Sequence, residues 1–265
     1  MNINEIAKLA GVSRATVSRY LNNGYVSEEK KKIIRKVIEE TGYQPSSQAQ
    51  MLRTKKTKLV GVILPKIDSN TISREVAGIS DILTKKGYQL ILANTNNNIE
   101  EELKYLSLFK DNQVDGVIFI ATILTKQHRD MLKEYKVPIV LLGQRLEGYP
   151  CIFQDDQKAA MTLTEQMVKT GSKFGYITVT DKDEAVGRKR MSGVEEILSK
   201  NKIEFGSEYV KCGDFTLESG YEKAGELFGE HPDIDTLICA TDTMAVGAVS
   251  WLKKNGYRIP EQVQV

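Results

Sequence analysis

The segment from Ser13 to Asn22 places hydrogen-bonding side chains at helical spacing. Ser13 suits the N-terminal cap of a helix, and Val17 and Leu21, four positions apart, mark its inward face. The opposite face carries Arg14, Ser18 and Asn22. A guanidinium group can donate two hydrogen bonds to a guanine edge, whereas hydroxyl and amide groups can hold phosphates without reading sequence. The segment therefore predicts a helix whose polar face suits a nucleic acid.

Basic residues are concentrated at the beginning of the chain, although the net charge of the whole chain is only +2. Residues 1–60 contain twelve Lys or Arg and five Asp or Glu, a local charge of +7, and the remainder carries −5. A polyanion would bind at this basic end. The alternative is a basic segment that serves only solubility, and the pattern within the segment has to decide between the two.

Two further helices are predicted to flank the polar segment. Asn2 and Glu5 have capping-box spacing at the start of the first helix. The inward side chains of this helix are Ile6, Leu9 and Ala10. Ser27 is predicted to cap a longer third helix, which ends at Gly42 and turns Ile33, Ile34, Val37 and Ile38 inward. Three helices with a tight turn between the first two predict an all-α helix-turn-helix headpiece over residues 1–44.

The chain resembles the lactose repressor/galactose repressor (LacI/GalR) family in IAKLAGVSRATVSRYLN and in GYQPSSQAQMLRTKKTKLVGVILP, and the resemblance continues through most of its length. It implies that the second helix lies in the major groove of a pseudo-palindromic operator, with Arg14 and Ala15 facing base edges. Arg19 would contact a base or a phosphate. The implied phosphate anchors are Ser13, Thr16, Ser18 and Asn22. Plain helix surface is the alternative for Thr16 and Ser18. Because such an operator needs two headpieces, a homodimer is expected.

Residues 45–58 are predicted to be a linker, since Pro45 ends the third helix and the following apolar face is too small to stand alone. The family resemblance implies a hinge that folds only on operator DNA, pairs with its copy from the partner chain and inserts Leu52 into the minor groove. Ala49 and Gln50 match the positions beside this leucine. A disordered linker in which Leu52 has no role is the alternative.

From Leu59 onward, apolar runs alternate with helical segments. The runs are LVGVILP, YQLILAN, VDGVIFIA, VPIVLLG, FGYITVT and TLICAT. In the first half of this region they start about 23 to 29 residues apart, the length of a strand plus a crossover helix. Fully apolar strands indicate parallel, doubly wound sheets that are covered on both faces. In the first intervening helix, the apolar positions are Val76, Ile79, Ile82 and Leu83.

These runs are interpreted as an α/β sensing domain of two lobes, residues 59–155 and 156–265, with a ligand cleft at the carboxyl ends of the strands. The family resemblance implies the same domain, similar to the periplasmic sugar-binding proteins.

The family resemblance also implies effector-binding residues. Arg190 begins an RxxG motif, Thr241 and Asp242 lie in a [ND]DxxAxG-like motif, and Phe215 follows Gly-Asp in a turn. An arginine and a carboxylate can pair with the hydroxyl groups of a sugar, and an aromatic face can pack on its apolar side. Gln144 is a further candidate. The alternatives are a structural salt bridge for Arg190, a helix cap for Asp242 and ordinary core packing for Phe215.

The sequence departs from the family pattern at several positions. Residues 68–72 replace an Asn-Pro-aromatic-aromatic run, and Gly143 replaces a frequent aspartate. The sequence ends at IPEQVQV, within what resembles a strand, where relatives continue. The expectation is a chain that lacks the C-terminal part and has an incomplete second lobe.

The expected function is sequence-specific regulation of transcription, with carbohydrate-utilisation genes repressed under the control of a small-molecule effector, a sugar. Two alternatives stay open. One is a carbon-catabolite regulator controlled by a protein corepressor, and the other is a purine-responsive repressor.

Other classes of function are disfavoured by the sequence. His128 and His231 are isolated and are expected at the surface, with no nucleophile elbow or P-loop nearby, so neither an enzyme nor a cofactor is expected. The three cysteines are far apart, which fits neither a disulfide framework nor a metal site. No secretory signal and no apolar run of membrane-spanning length is recognisable. A cytoplasmic protein is therefore expected, whereas a transport receptor is not.

Overall fold

The computed structural model describes residues 1–44, 55–110 and 114–265. The headpiece contains α1 (Ile3–Leu9), α2 (Arg14–Leu21) and α3 (Glu28–Thr41). Asn2 and Glu5 form the predicted capping box at α1, and Gly42 ends α3 with a left-handed φ of 61°, which glycine adopts readily. The hinge residues Ala49, Gln50 and Leu52 lie outside the described residues.

The headpiece core is formed by all three helices. Its buried members are Ile6, Ala7, Ala10, Val17, Val26 and Ile34. Leu9, predicted to face inward, is 60% exposed, because the buried stripe of α1 runs through positions 3, 6, 7 and 10 and Leu9 projects from the other side. Ser27 stands at the N-cap of α3, but its side chain makes no capping hydrogen bond. The negative charges of Glu28 and Glu29 lie in this first turn, where the helix dipole favours them.

The first lobe has a five-stranded parallel sheet in the order β2-β1-β3-β4-β5. Its strands are β1 (Leu59–Leu64), β2 (Gln89–Asn94), β3 (Gly116–Ile120), β4 (Ile139–Leu142) and β5 (Cys151–Ile152). The connecting helices are α4 (Asn70–Lys85), α5 (Ile99–Lys110) and α6 (Lys126–Lys133). Phe109 of α5 and Leu132 of α6 pack against one face of the sheet, and apolar residues of α4 pack against the other. The lobe is thus doubly wound, as predicted.

The second lobe has a three-stranded parallel sheet in the order β7-β6-β8. The strands are β6 (Phe174–Thr178), β7 (Val210–Cys212) and β8 (Thr236–Cys239), and the helices are α7 (Asp156–Met167), α8 (Arg190–Lys200), α9 (Leu217–Glu230) and α10 (Asp242–Lys254). A π-helix, Glu184–Lys189, runs directly into α8. The residue pair Thr236 and Gln264 forms a parallel bridge on the free edge of β8.

His128 is not at the surface as predicted; it is fully buried between α5 and α6. Its Nε2 atom lies 3.1 Å from Oε2 of the buried Glu102, and its Nδ1 atom lies 2.8 Å from Oγ1 of Thr125. The hydrogen bond with Thr125 satisfies Nδ1 of this buried ring, whereas Nε2 and Oε2 of Glu102 face each other without forming a hydrogen bond. The other histidine, His231, is half-buried against Tyr209, with 4.6 Å between ring centroids.

Only some of the apolar positions of α4 contact the sheet. Ile72, Val76 and Ile79 pack on the sheet, but they are only partly buried. No residue of the helix is fully buried, and Ile82 is 59% exposed. The adjacent edge strand β2 leaves Ile91 and Leu92 exposed as well. Successive residues of a strand face opposite sides of a sheet, so Leu92 shares the α4 face with Leu90, whereas Ile91 faces the other side. The exposed apolar surface on the α4 side is defined here as Ile82 and Leu92.

Candidate DNA-reading helix and effector cleft

Helix α2 turns its predicted recognition residues to the surface. Arg14, Ala15 and Arg19 are exposed, and Arg14 and Ala15 occupy the first two positions of the helix. Val17 is fully buried on the other side and fixes the helix on the headpiece core. The helix N-terminus is the end that enters a major groove in this motif, so Arg14 and Ala15 have the exposure that base reading requires.

The predicted phosphate anchors are organised by local hydrogen bonds. The backbone N–H of Thr16 donates to Oγ of Ser13 at 3.2 Å, and the two hydroxyl oxygens lie 2.9 Å apart. Nδ2 of Asn22 donates to the carbonyl oxygen of Ser18 at 2.5 Å. Ser13 and Asn22 are exposed, whereas Thr16 and Ser18 are half-buried. Ser13 is thus both the N-cap of α2 and a hydroxyl group that remains accessible to a ligand.

The candidate effector cleft is bounded by the carboxyl ends of strands from both lobes. Gln144 follows β4 in the first lobe and is buried. Its Nε2 donates to Oδ1 of Asp183, in the second lobe, at 3.0 Å. The same oxygen caps the π-helix by accepting from the backbone N–H groups of Ala185 at 3.1 Å and Val186 at 3.0 Å. Gln144 therefore links the two lobes.

Asp183 is a buried carboxylate in this link. Burial is the main influence and raises the pKa of Asp183 above its ordinary value. The hydrogen bonds from Val186, Gln144 and Ala185 and the positive charge of Arg190 act in the opposite direction and only partly offset it.

Arg190, the first residue of α8, is held by contacts within the second lobe. Its Nε donates to Oδ1 of Asp156 at 2.8 Å, and its Nη2 lies 2.7 Å from the same oxygen. Its Nη1 donates to the carbonyl oxygen of Ala240, just after β8, at 2.6 Å. The salt bridge, which was the alternative for Arg190, is therefore present. The guanidinium group, with a 29% exposed side chain, still lies at the carboxyl end of the sheet.

Of the remaining predicted effector residues, two lie at the start of α10 and one packs against the core of the second lobe. Thr241, not Asp242, is the N-cap of α10, and its Oγ1 accepts from the N–H of Met244 at 3.4 Å. Asp242 is exposed in the first turn. Phe215 is half-buried against the core cluster of the second lobe, as its alternative interpretation holds.

A pocket of about 220 Å³ lies beside β8 and is mostly apolar. Its lining is Leu163, Met167, Leu237, Ile238, Cys239, Thr241, Asp242, Ala245 and Val265. Burial raises the pKa of Cys239 to about 12, so this residue contributes a neutral thiol to the pocket lining. Two predicted residues, Thr241 and Asp242, line this pocket, whereas Gln144, Arg190 and Phe215 do not.

Asp156 and Asp183 are functional candidates that sequence reasoning missed. Both are buried, and both bind a residue that was predicted for the effector site. One signal was present, because Asp183 precedes the RxxG arginine by seven residues and could cap the helix in between. For Asp156, the second of two consecutive aspartates, no sequence feature shows which one is buried.

Two negative findings apply to the described residues. Within 1–44, 55–110 and 114–265, no group of His, Cys, Asp or Glu is arranged to hold a metal ion. In the same ranges, no helix combines the length and apolarity needed to cross a membrane.

Two family profiles match the chain. The profile described as "Periplasmic binding proteins and sugar binding domain of LacI family" matches residues 57–265. The profile described as "Bacterial regulatory proteins, lacI family" matches residues 2–46. Together they confirm the predicted combination of a helix-turn-helix headpiece and a two-lobed α/β sensing domain.

Two named relatives and one solved structure are similar to this chain over most of its length. The sucrose operon repressor of Staphylococcus xylosus is 33% identical over 246 residues, which cover 92% of this chain and 76% of that protein. Catabolite control protein A of Priestia megaterium is 32% identical over 270 residues, with 100% and 81% covered. The solved structure of the lac repressor dimer bound to operator and the anti-inducer ONPF shows the same fold, with a TM-score of 0.91, 21% identity and 100% and 81% covered. The chain belongs to the lacI family of bacterial regulatory proteins, and it is a DNA-binding transcriptional regulator rather than an enzyme.

Proposed function

We propose that this regulator is a cytoplasmic homodimeric repressor of a carbohydrate-utilisation operon, released from or docked on its operator by a sugar bound between the lobes. The observation that carries the DNA-reading part is the exposure of Arg14 and Ala15 at the N-terminus of α2. In this proposal Arg14 and Ala15 choose the bases, and Arg19 contacts a base or a phosphate. The phosphate anchors are Ser13, Thr16, Ser18 and Asn22.

The proposal divides the chain into a headpiece (1–44), a hinge (45–58) and two lobes (59–155 and 156–265). In the hinge, Leu52 inserts into the minor groove, with Ala49 and Gln50 beside it. Unstacking costs a few kcal/mol and is offset by contacts that the bent duplex allows.

The experiment for the DNA-reading part starts from selection of duplexes out of a randomised pool. The expected outcome is a twofold-symmetric consensus that the full chain binds far more tightly than random duplex. Leu52→Ala is expected to weaken binding to that consensus. Equal, strongly salt-dependent binding to every duplex would contradict the proposal, and unchanged affinity of the variant would refute the role of Leu52.

Homodimer formation is proposed through the exposed apolar surface on the α4 side of the first lobe, Ile82 and Leu92. Exposed apolar side chains grouped on one side of a domain favour association, and an operator with twofold symmetry requires a second copy. Ile82→Glu would place a charge in this contact. Analytical ultracentrifugation is expected to show a dimer for the wild type and for Val246→Glu, an exposed position on α10, and a monomer for Ile82→Glu. A dimeric Ile82→Glu would reject this surface.

The proposed effector site takes Gln144, Arg190, Phe215, Thr241 and Asp242 as candidate contacts. Their guanidinium, carboxylate, amide and hydroxyl groups provide both donors and acceptors, which suits a polyhydroxylated ligand. A thermal-shift series over sugars, including sucrose, and purines tests this assignment. A true effector stabilises the folded protein, and at concentrations above its dissociation constant this stabilisation grows with the logarithm of the concentration. A shift with purines but not with sugars would favour the purine-responsive alternative.

A second candidate is a catabolite-control regulator that is controlled by a protein corepressor. The 32% identity to catabolite control protein A over the whole chain favours it. Retention of the chain by a phosphorylated carrier protein on beads, together with no thermal shift from any free sugar, would support this candidate over the sugar-controlled repressor.

A further inference from the structure

The carboxylate of Asp115 binds the backbone at the place where the chain passes from the linker into the first lobe. Oδ1 of Asp115 accepts from the backbone N–H of Thr57 at 2.7 Å and from its hydroxyl at 3.0 Å. Oδ2 accepts from the backbone N–H of Lys58 at 3.0 Å. Three donors from two successive residues thus converge on one side chain that directly precedes β3.

The same junction is fixed to two further strands. The N–H of Gln89, at the start of β2, donates to the carbonyl oxygen of Lys58 at 2.8 Å. The N–H of Asp115 donates to the carbonyl oxygen of Leu59 in β1 at 2.8 Å. The ammonium group of Lys58 lies 4.3 Å from the centre of the Tyr88 ring. Residues 57–58 are therefore attached to the amino ends of β1, β2 and β3 together.

Lys58 also adopts a backbone conformation that needs support. Its φ is +60°, in the left-handed region that residues other than glycine, asparagine and aspartate seldom adopt. Such a conformation persists where surrounding contacts determine it. The bond from the Lys58 N–H to Asp115 is one of those contacts, so the carboxylate helps to set the direction in which the chain leaves the lobe.

We propose that Asp115 is a positioning residue that transmits the orientation of the first lobe to the hinge and thereby to the headpiece. This inference rests on the proposed function, in which two headpieces must meet one operator at a fixed spacing. A loosened junction would let each headpiece bind alone as before, whereas simultaneous binding of both would lose effective concentration. Asp115 itself contacts neither DNA nor effector in this proposal.

The experiment compares a full twofold-symmetric duplex, obtained by selection with the wild-type chain, with a duplex that contains one half-site. Asp115→Ala is expected to weaken binding to the full site about tenfold, with half-site binding within about twofold of wild type. Asp115→Asn keeps one carbonyl acceptor, and its affinity for the full site is expected to lie between those of the wild type and Asp115→Ala. Asp130→Asn, an exposed carboxylate on α6, is the control for charge and is expected to bind both duplexes like the wild type.

A second variant covers the case in which Asp115→Ala fails to fold. Thr57→Val removes the hydroxyl that donates to Asp115 and accepts from the backbone N–H of Leu59 at 3.1 Å, and it leaves both backbone N–H donors to Asp115 in place. We expect a smaller loss that is again confined to the full site. Hydrogen exchange at the amides of residues 57 and 58 is expected to accelerate in the Asp115 variants, while exchange in β3 stays slow.

The possible outcomes separate the two proposals. A wild type that shows no preference for the full site over the half-site contradicts the proposed function. A wild-type preference that survives unchanged in the Asp115 variants and in Thr57→Val overturns the positioning role, as does an equal loss on both duplexes.

Discussion

The candidate DNA-reading helix and the candidate effector cleft differ in whether their polar side chains are already paired. On α2, Arg14 and Arg19 are exposed, and the hydrogen bonds of Ser13 and Thr16 remain within one turn. In the cleft, Arg190 binds Asp156, and Gln144 binds Asp183 in the other lobe. A surface that meets DNA can leave its groups in water until the phosphates arrive, whereas a buried cleft must pair them beforehand.

This difference determines what substitution should do in each region. Loss of an exposed group on α2 should change DNA binding and leave the fold intact. Loss of a paired group in the cleft should lower the free energy of unfolding more than it changes ligand binding, because the remaining partner stays buried without a hydrogen-bond partner.

The largest expected effect is that of Arg190→Met. Asp156 is 4% exposed and would lose its cationic partner, which should cost about 3 kcal/mol of unfolding free energy, the low end for a broken buried pair because Arg190 is partly exposed. Urea unfolding measures this change. Arg145→Met, at an exposed position in the first lobe, is the control and should be nearly neutral. If Arg190→Met changed the free energy of unfolding as little as Arg145→Met, the polar groups of the cleft would be no more dependent on their partners than those of α2.

The next effect concerns Arg14→Ala on α2. We expect a loss of about 1–3 kcal/mol of discrimination at one base position, because a bidentate contact would be missing, and no change in unfolding free energy. Competition binding with single-base variants of the selected operator measures it. Arg14→Lys keeps the charge and should lose most of the discrimination. An even loss across all sequences would make Arg14 a phosphate contact instead.

A smaller effect is expected from Ser13→Ala, which removes the N-cap of α2. The cost should be about 1 kcal/mol of local stability, since one N–H of the first turn loses its acceptor. Hydrogen exchange of the α2 amides in the full chain measures it. Ser27→Ala is a matched control, because Ser27 occupies an N-cap without a side-chain capping bond, and its effect should be clearly smaller. Equal effects would mean that the Ser13 cap contributes nothing of its own.

The smallest expected effect is a pH dependence that belongs to the cleft. Because burial raises the pKa of Asp183 in the folded state, its ionisation costs stability as pH rises from the ordinary aspartate range, about 4, through the raised pKa. Asp183→Asn keeps the oxygen that accepts all three hydrogen bonds and cannot ionise. The variant should therefore gain stability relative to wild type as pH rises toward neutrality. A difference that is constant between about pH 4 and 8 would rule this out.

The sequence predicted the elements that have strong local patterns. The capping box of Asn2 and Glu5, the cap at Ser13 and the glycine stop at Gly42 appear as expected, because each depends on neighbours within one turn. The six apolar runs correspond to β1, β2, β3, β4, β6 and β8. The strands β5 and β7, of two and three residues, were missed because so short a segment shows no periodicity.

What the sequence could not predict depends on distant partners. His128 lacks a local signal for burial, and its partner Glu102 is on another helix. Ile82 is exposed because α4 packs on the sheet through Ile72, Val76 and Ile79, and periodicity alone does not show where the packed face of a helix ends. The pairing of Arg190 with Asp156 joins residues 34 positions apart. The resemblance identified candidate positions, whereas only the fold shows which polar groups already have partners.

The hydrogen bond between Gln144 and Asp183 has a consequence for molecular discrimination. A molecule that separates the lobes at this point removes a donor from a buried carboxylate. A ligand hydroxyl in the same place restores that donor, whereas a deoxy analogue leaves the oxygen short of one hydrogen bond, and sites built to pair with a hydroxyl reject such analogues strongly. If the proposed effector binds between the lobes at this point, Gln144 would take the place of the ligand in the empty protein, and a ligand would have to replace its hydrogen bond to Asp183.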